Sequence, residues 1–273
     1  MMEAFFGRLA RRLPDFNGSR AKHGEAEDAV AADLSDVQLA IAPATIEDVL
    51  PALDMANEAS KRSLFDRAMY SGESGTSYLG HRRDMLHHFI LNCVDLDLYH
   101  FYVAKHPTTG DVVGFVIFSD VDAQNAPDRY TPKPGEKFLV YSLMDKFCEV
   151  TRQRHSAVFP PMRELMYKQT GGEEYLACSL LEVLPQHRGQ GIEDRLLQYA
   201  LAQLSPEQDG KARPVLVSPS LVELDTKLDV FTRQGWREVD HFDVDLAEWM
   251  GLYRGYGVYR FPLLRREFTS TVV

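Results

Sequence analysis

The chain has 273 residues, of which 45% are apolar and 26% charged, and a formal net charge of −10. This length and balance support one large domain or two small ones whose core needs no covalent staple. The acidity excludes the basic footprint of a nucleic-acid binder and is compatible with a cationic small substrate.

Cys93, Cys148 and Cys178 are far apart and odd in number. They form neither a disulfide framework nor a metal-ligand set, and a reducing, cytoplasmic setting is the simplest reading. The nine histidines give no metal motif such as His-Glu-x-x-His, and no metal is expected. No apolar run is long enough to span a membrane.

At the start, Phe5, Phe6, Leu9 and Leu13 alternate with Arg8, Arg11 and Arg12, and only Glu3 is acidic before Asp15. This is the pattern of a short basic amphipathic helix. It reads as a mitochondrial presequence or as a frayed terminal segment. Residues 17–36 have little to bury and read as a linker, so 1–36 is expected to be a flexible tail before a domain over 37–268, with 269–273 as a second tail.

Val37-Gln38-Leu39-Ala40-Ile41 alternates with period two and predicts a strand stopped by Pro43. Thr45 caps a following helix, with Asp48 as its capping-box partner and Ile46, Val49, Leu50 and Leu53 as the apolar stripe. A second helix is predicted over 79–93. His100 to Lys105 and Val112 to Phe118 then read as a hairpin closed by Pro107-Thr108-Thr109-Gly110-Asp111.

Residues 119–174 read as a helical insertion. Pro127, Pro132 and Pro134 mark a loop, and Tyr141 to Thr170 is helical with an interruption at Pro160-Pro161. The insertion is either a lid over a substrate or extra packing.

Leu176 to Leu184 is a buried strand with one acid, Glu182. A helix is predicted from Arg188 to Leu204, with Ile192, Leu196, Leu197, Ala200, Leu201 and Leu204 on one face. Val215 to Val217 is a short strand. Ser220 and Glu223 cap the next helix, whose stripe is Leu221, Leu224, Leu228 and Phe231 and whose end is Gly235. Strands follow at Trp236 to Val244 and Gly257 to Phe261. Strands alternating with helices late in the chain imply α/β packing with a local parallel pair.

The join between strand and helix is Val183-Leu184-Pro185-Gln186-His187-Arg188-Gly189-Gln190-Gly191-Ile192. The first amides of a helix lack intrahelical partners and sit at the positive end of its dipole. Two glycines let a large anion approach them, so the amides of Gly189 to Ile192 can cradle a pyrophosphate. A dinucleotide fingerprint would need glycine where Asp194 stands, and a P-loop would need Gly-Lys-Ser/Thr.

The remaining pattern, Gln-x-x-Gly-x-Gly after a strand, resembles the cofactor motif of the GNAT acyltransferases. Leu181-Glu182-Val183-Leu184-Pro185 resembles that family's central strand and its proline exit. Leu228-Asp229-Val230-Phe231-Thr232-Arg233-Gln234-Gly235-Trp236 resembles its later aromatic segment. The resemblance covers most of residues 37–245. It implies a mixed, mainly antiparallel central sheet with a splayed parallel pair, flanked by helices.

It also implies acetyl-CoA or another acyl-CoA as cofactor, contacted along Val183, Leu184, Gln186, His187, Arg188, Gly189, Gln190, Gly191 and Ile192, and a small-molecule amine as acceptor. By the same analogy the Val183 amide faces the thioester or the pantetheine arm. Glu182 is the candidate to take the amine's proton, or else it faces a wet edge or pairs with an arginine.

Two positions depart from the family pattern. Phe231 stands where a tyrosine commonly protonates the departing thiolate, leaving Thr232 as a weak substitute. Glu193 stands where glycine is usual and, in the first helical turn, competes with a pyrophosphate. In Trp236 to Arg260, Asp240, Asp243, Asp245, Glu248, Tyr253, Tyr256 and Tyr259 make either an acid-and-tyrosine wall for an amine or a solvated hairpin. Three functions therefore stand: N-acetyl transfer to a small amine, non-catalytic acyl-CoA binding, and another reaction on the same fold, such as O-acylation or decarboxylation.

Overall fold

The computed structural model describes residues 38–73, 77–95, 98–121, 145–204, 207–208, 211–217, 224–250 and 257–266. All of them lie in one unit, Asp33–Val273. The basic segment and linker at the start, the proline loop, Ser220–Glu223, Tyr253, Tyr256 and the last tail fall outside the described residues.

Seven strands form one sheet in the order β1-β2-β3-β4-β7-β9-β8. They are β1 (Ala40–Pro43), β2 (Tyr99–Lys105), β3 (Val112–Val121), β4 (Tyr175–Val183), β7 (Val215–Val217), β8 (Arg237–Asp245) and β9 (Val258–Arg266). The two-residue strands β5 (Glu207–Gln208) and β6 (Lys211–Ala212) make a separate hairpin that the sequence pattern did not predict. Within the main sheet only β4 and β7 pair in parallel, at Leu176↔Val215 and Ala177↔Leu216. The expected mixed, mainly antiparallel sheet with helices around it is the observed one.

The helices are α1 (Val49–Arg62), α2 (Leu64–Met69), α3 (Ser77–Asp95), α4 (Glu149–Thr170), α5 (Ile192–Gln203), α6 (Leu224–Arg233) and α7 (Leu246–Met250). No helix among the described residues is long and apolar enough to cross a membrane. One face of the sheet is covered by α5 and α6. Ile192, Leu196, Leu197, Ala200 and Leu201 pack there with Val116, Phe118, Leu176, Leu181, Val183 and Phe231. On the other face, α1 lies against β3 and β4, and α4 lays Met162 and Met166 on Tyr175, Leu216 and Leu263.

Three boundaries differ from expectation for identifiable reasons. β1 begins at Ala40 rather than Val37 and stops at Pro43 as expected, but Pro43 is itself its last residue, paired with Tyr102. The strand is an edge, and the amide of Ala44 is the one that reaches Phe101 O, at 2.8 Å. The missing N–H of Pro43 therefore falls on the open side, where a proline costs no ladder bond.

The helix over 149–170 is not interrupted at Pro160-Pro161 but runs through both. The two prolines are exposed, while Val158, Met162 and Met166 are buried on the opposite stripe. Burial of roughly 1.5–3 kcal/mol per side chain offsets the about 3 kcal/mol cost of an interior proline.

The short helices α2 and α7 were not predicted. With six and five residues they are too brief to show a period, and each depends on a local cap. Ser63 Oγ accepts from the Asp66 amide at 3.1 Å, and Asp245 Oδ1 accepts from the Ala247 amide at 2.8 Å.

Candidate active site

The site begins where β7 ends. Its last pairing among the described residues is Val217↔Leu264, so beyond it residues 178–183 of β4 and 258–263 of β9 have no described strand between them, which leaves a gap in the described part of the sheet. Leu184 N–H bonds Val113 O at 2.9 Å. Because alternate amides point to opposite edges, the N–H and C=O of Val183 point into that gap. Arg188 Nε, which donates to Val183 O at 3.4 Å, approaches from this side.

A β-bulge decides where Glu182 points. Ile117 pairs with Leu180 and Phe118 with Cys178, leaving Ser179 as the extra residue; its hydroxyl lies 2.7 Å from that of Ser119. Leu176 and Cys178 join the α5-side core before the bulge, and Leu181 and Val183 join it after. Unbroken alternation from Leu176 would drive Glu182 into the apolar contacts of α5. The bulge instead turns it to the α1 side, beside its register partner Phe115. There it is 1% exposed, and its carboxylate lies 4.0 Å from Arg188 Nη2. An ionised carboxylate at this depth needs such a partner.

The glycine turn lies directly beyond. Pro185–His187 is a single 3-10 turn, and Gly189 and Gly191 take φ of 76° and 70°. The helix therefore begins at Ile192, four residues later than the expected start at Arg188, because left-handed backbone at Gly191 cannot belong to a right-handed helix. A Cβ placed on either glycine would meet nothing within 4 Å, so the backbone is open at the helix start, as an anion cradle requires.

The guanidinium of Arg188 turns back to Val183 and Glu182, and it is Arg195 that lies along the turn, its Nη2 3.4 Å from Gln190 O. Arg195 was not singled out in the sequence, since nothing in its position on the helix distinguishes it. Asp194 is drawn away by Arg233 at 2.9 Å and Gln234 at 2.8 Å. His187 is buried, and its Nδ1 has no hydrogen-bond partner among the described residues. Leu184, Pro185 and Gln186 border a cavity of about 640 Å³ whose lining also carries Glu47 of the 3-10 turn before α1 and Asp54 and Glu58 of α1. That acidic lining too was not anticipated.

The remaining candidates are dispersed. Phe231 is 1% exposed and packs edge-on against Trp236, with centroids 5.2 Å apart. Thr232 is exposed and its hydroxyl donates to Leu228 O at 2.8 Å, as helical threonines commonly do. Asp240 bonds Gln169 and the His241 amide, Asp245 caps α7, and Tyr259 packs in an aromatic cluster with Phe65 and Phe261. Asp240, Asp245 and Tyr259 are thus engaged separately.

No family model matches the sequence, and no curated protein matches it either. The fold does have solved counterparts. A putative arylalkylamine N-acetyltransferase 7 from the yellow fever mosquito superimposes with a TM-score of 0.55 at 14% identity, covering 86% of this chain and 91% of that one. Arylalkylamine N-acetyltransferase 2 from Aedes aegypti gives 0.52 at 9% identity, over 85% and 100%. A polyamine N-acetyltransferase from Drosophila melanogaster gives 0.51 at 13%, over 85% and 100%. Together with the parallel pair and the glycine turn that follows it, these likenesses establish that the chain has the fold of the GNAT acyltransferases.

Proposed function

We propose that the chain transfers an acetyl group from acetyl-CoA to the amine of a small molecule, by direct attack while both are bound. The observation that carries this reading is the open glycine turn at the head of α5, which follows directly on the strand end that bears the buried carboxylate of Glu182. The amides at Gly189 to Ile192, with Arg195 alongside, are suited to the pyrophosphate. Bound acetyl-CoA supplies an activated acyl group and a thiolate leaving group.

The Val183 amide, pointing into the gap, is placed to donate to the thioester oxygen as negative charge grows there. Glu182 accepts the proton lost by the amine as the C–N bond forms and the C–S bond breaks. A thiol with a reference pKa of ~8.5 can depart without an acid, which suits a site where Phe231 has no hydroxyl and that of Thr232 is committed to its helix. The small-amine class is supported by the neighbours named for arylalkylamines and a polyamine. The three free thiols support a reducing compartment such as the cytosol.

Calorimetry with acetyl-CoA, followed by release of free CoA on adding tryptamine, spermidine or agmatine, tests this. Glu182→Gln should lower kcat by about a hundredfold or more while acetyl-CoA affinity stays within a few-fold. Undiminished kcat in that variant would remove Glu182 from the mechanism. Tight acetyl-CoA binding with no amine-dependent CoA release would favour the second reading, a non-catalytic acyl-CoA binder, which the apolar Phe231 recommends.

A further inference from the structure

The end of α6 is fixed by a tight stop. Gly235 takes φ of 82°, its amide donates to Thr232 O at 3.0 Å, and the Trp236 amide donates to Phe231 O at 3.1 Å. This is the Schellman arrangement, and the Phe231–Trp236 ring contact supplies the apolar clasp that accompanies it. The stop sets where Arg233 and Gln234, the two residues before the glycine, present their side chains. Both reach Asp194 at the head of α5. Arg233 Nη2 donates to Asp194 Oδ2 at 2.9 Å, and Gln234 Nε2 donates to Oδ1 at 2.8 Å. Both carboxylate oxygens are thereby taken.

The place of Asp194 gives this clamp a consequence for the glycine turn. Gly191 is the residue before the helix, and Asp194 is the third residue within it. A carboxylate there is drawn to the unpaired first-turn amides and to the positive end of the dipole. Those are the groups a pyrophosphate needs. Another aspartate of this chain turns back in just that way. Asp48 is third in the turn that follows Thr45, and it accepts from the Thr45 amide at 2.9 Å and hydroxyl at 3.0 Å. Asp194 makes no such bond among the described residues, because Arg233 and Gln234 hold it toward α6. Its side chain is 20% exposed, so solvent screens its charge poorly and the guanidinium of Arg233 is what offsets it.

We propose that Arg233 and Gln234 are positioning residues for the cofactor. Acting through Asp194, they hold an acid off the pyrophosphate cradle and cancel its charge. The glycines shape the turn, and the pair keeps it open to an anion. This rests on the acetyl-CoA reading above and assigns a role to the end of α6, a different segment of the chain from the turn itself.

Calorimetry of the full chain with acetyl-CoA provides the test. The double variant Arg233→Ala with Gln234→Ala frees the carboxylate, and its Kd for acetyl-CoA should rise about tenfold. The rise should shrink at high salt, as a charge effect does. Asp194→Ala alone should bind acetyl-CoA as tightly as the wild type or more tightly, and adding Asp194→Ala to the double variant should restore its affinity. The three side chains lie outside the apolar core, so thermal melts of all these variants should stay close to that of the wild type. A merely structural tie between α5 and α6 would make Asp194→Ala as weak as the double variant and leave the combined variant no better. That result, or a double variant that binds like the wild type, overturns the assignment while leaving acetyl transfer standing. A wild type that binds no acetyl-CoA sinks the transfer reading, and this one with it.

Discussion

The turn at the head of α5 comes from a single run of chain, Val183 to Ile192, whereas the aromatic cluster of Phe65, Trp249, Tyr259 and Phe261, with Arg154 over Trp249, is drawn from four separate segments. The first is backbone geometry fixed by two glycines. The second is side-chain geometry fixed by packing, a cation and two helix ends. Local backbone geometry survives the loss of distant contacts, whereas assembled clusters depend on every member. The two regions should therefore fail under different insults.

The largest expected effect separates them directly. Valine at Gly191 must take φ near 70°, which costs a β-branched residue about 1–3 kcal/mol, and its side chain would occupy the open backbone. Gly191→Val should weaken acetyl-CoA binding by about a hundredfold in calorimetry. Hydrogen exchange of residues 64–73 and 246–250 should stay as in the wild type. Loss of protection in those segments would mean that the two regions are not independent.

This division also explains what the sequence disclosed. The glycine turn was legible because two glycines after a strand exit leave few backbone alternatives. The stripe of α5 was legible because five of its residues repeat at helical spacing and all face the core. Thr45 and Asp48 were legible as a local pair, and the Thr45 amide does donate to Asp48 Oδ2 at 2.9 Å.

The bulge at Ser179 was not legible. Leu176-Ala177-Cys178-Ser179-Leu180-Leu181 is apolar enough to pair in any register, and the choice is made by β3. Arg154 was equally silent, because its acceptors are backbone carbonyls that lie more than 80 positions away in the chain. Pro160-Pro161 misled, because a proline's cost is visible in sequence and the burial that offsets it is not.

An intermediate effect should appear at acid pH, in the assembled region only. His155 of α4 lies 3.3 Å from the Tyr70 hydroxyl and stacks on Phe159. Burial, and then the nearby Arg82 charge, push its pKa down from 6.5 to about 4. The folded state thus holds this histidine neutral where the unfolded chain protonates it. The unfolded state binds more protons between those two values, so stability is highest above pH 6.5 and falls as pH drops toward 4. Urea melts at pH 7 and pH 4.5 should differ by on the order of 2 kcal/mol more in the wild type than in His155→Phe. Equal differences in the two proteins would show that the histidine is not what makes this region acid-sensitive.

The smallest effect probes the strand behind the glycine turn. Gly114 of β3 lies against β4 and α5, and a Cβ there would sit 3.0 Å from Val183 Cγ2, 3.1 Å from Leu196 Cδ1 and 3.2 Å from Glu182 O. Its backbone is ordinary strand, so Gly114→Ala carries no dihedral strain. The cost is overpacking, with side chains and strand moving apart by a few tenths of an ångström, and about 1 kcal/mol of stability should be lost in urea melts. The displacement acts on the residue whose amide points into the gap and on the helix that carries the glycine turn. Acetyl-CoA affinity should therefore fall a few-fold while the amine KM holds. A rise in the amine KM with acetyl-CoA affinity intact would mean that the strain relaxes through Glu182 rather than through α5.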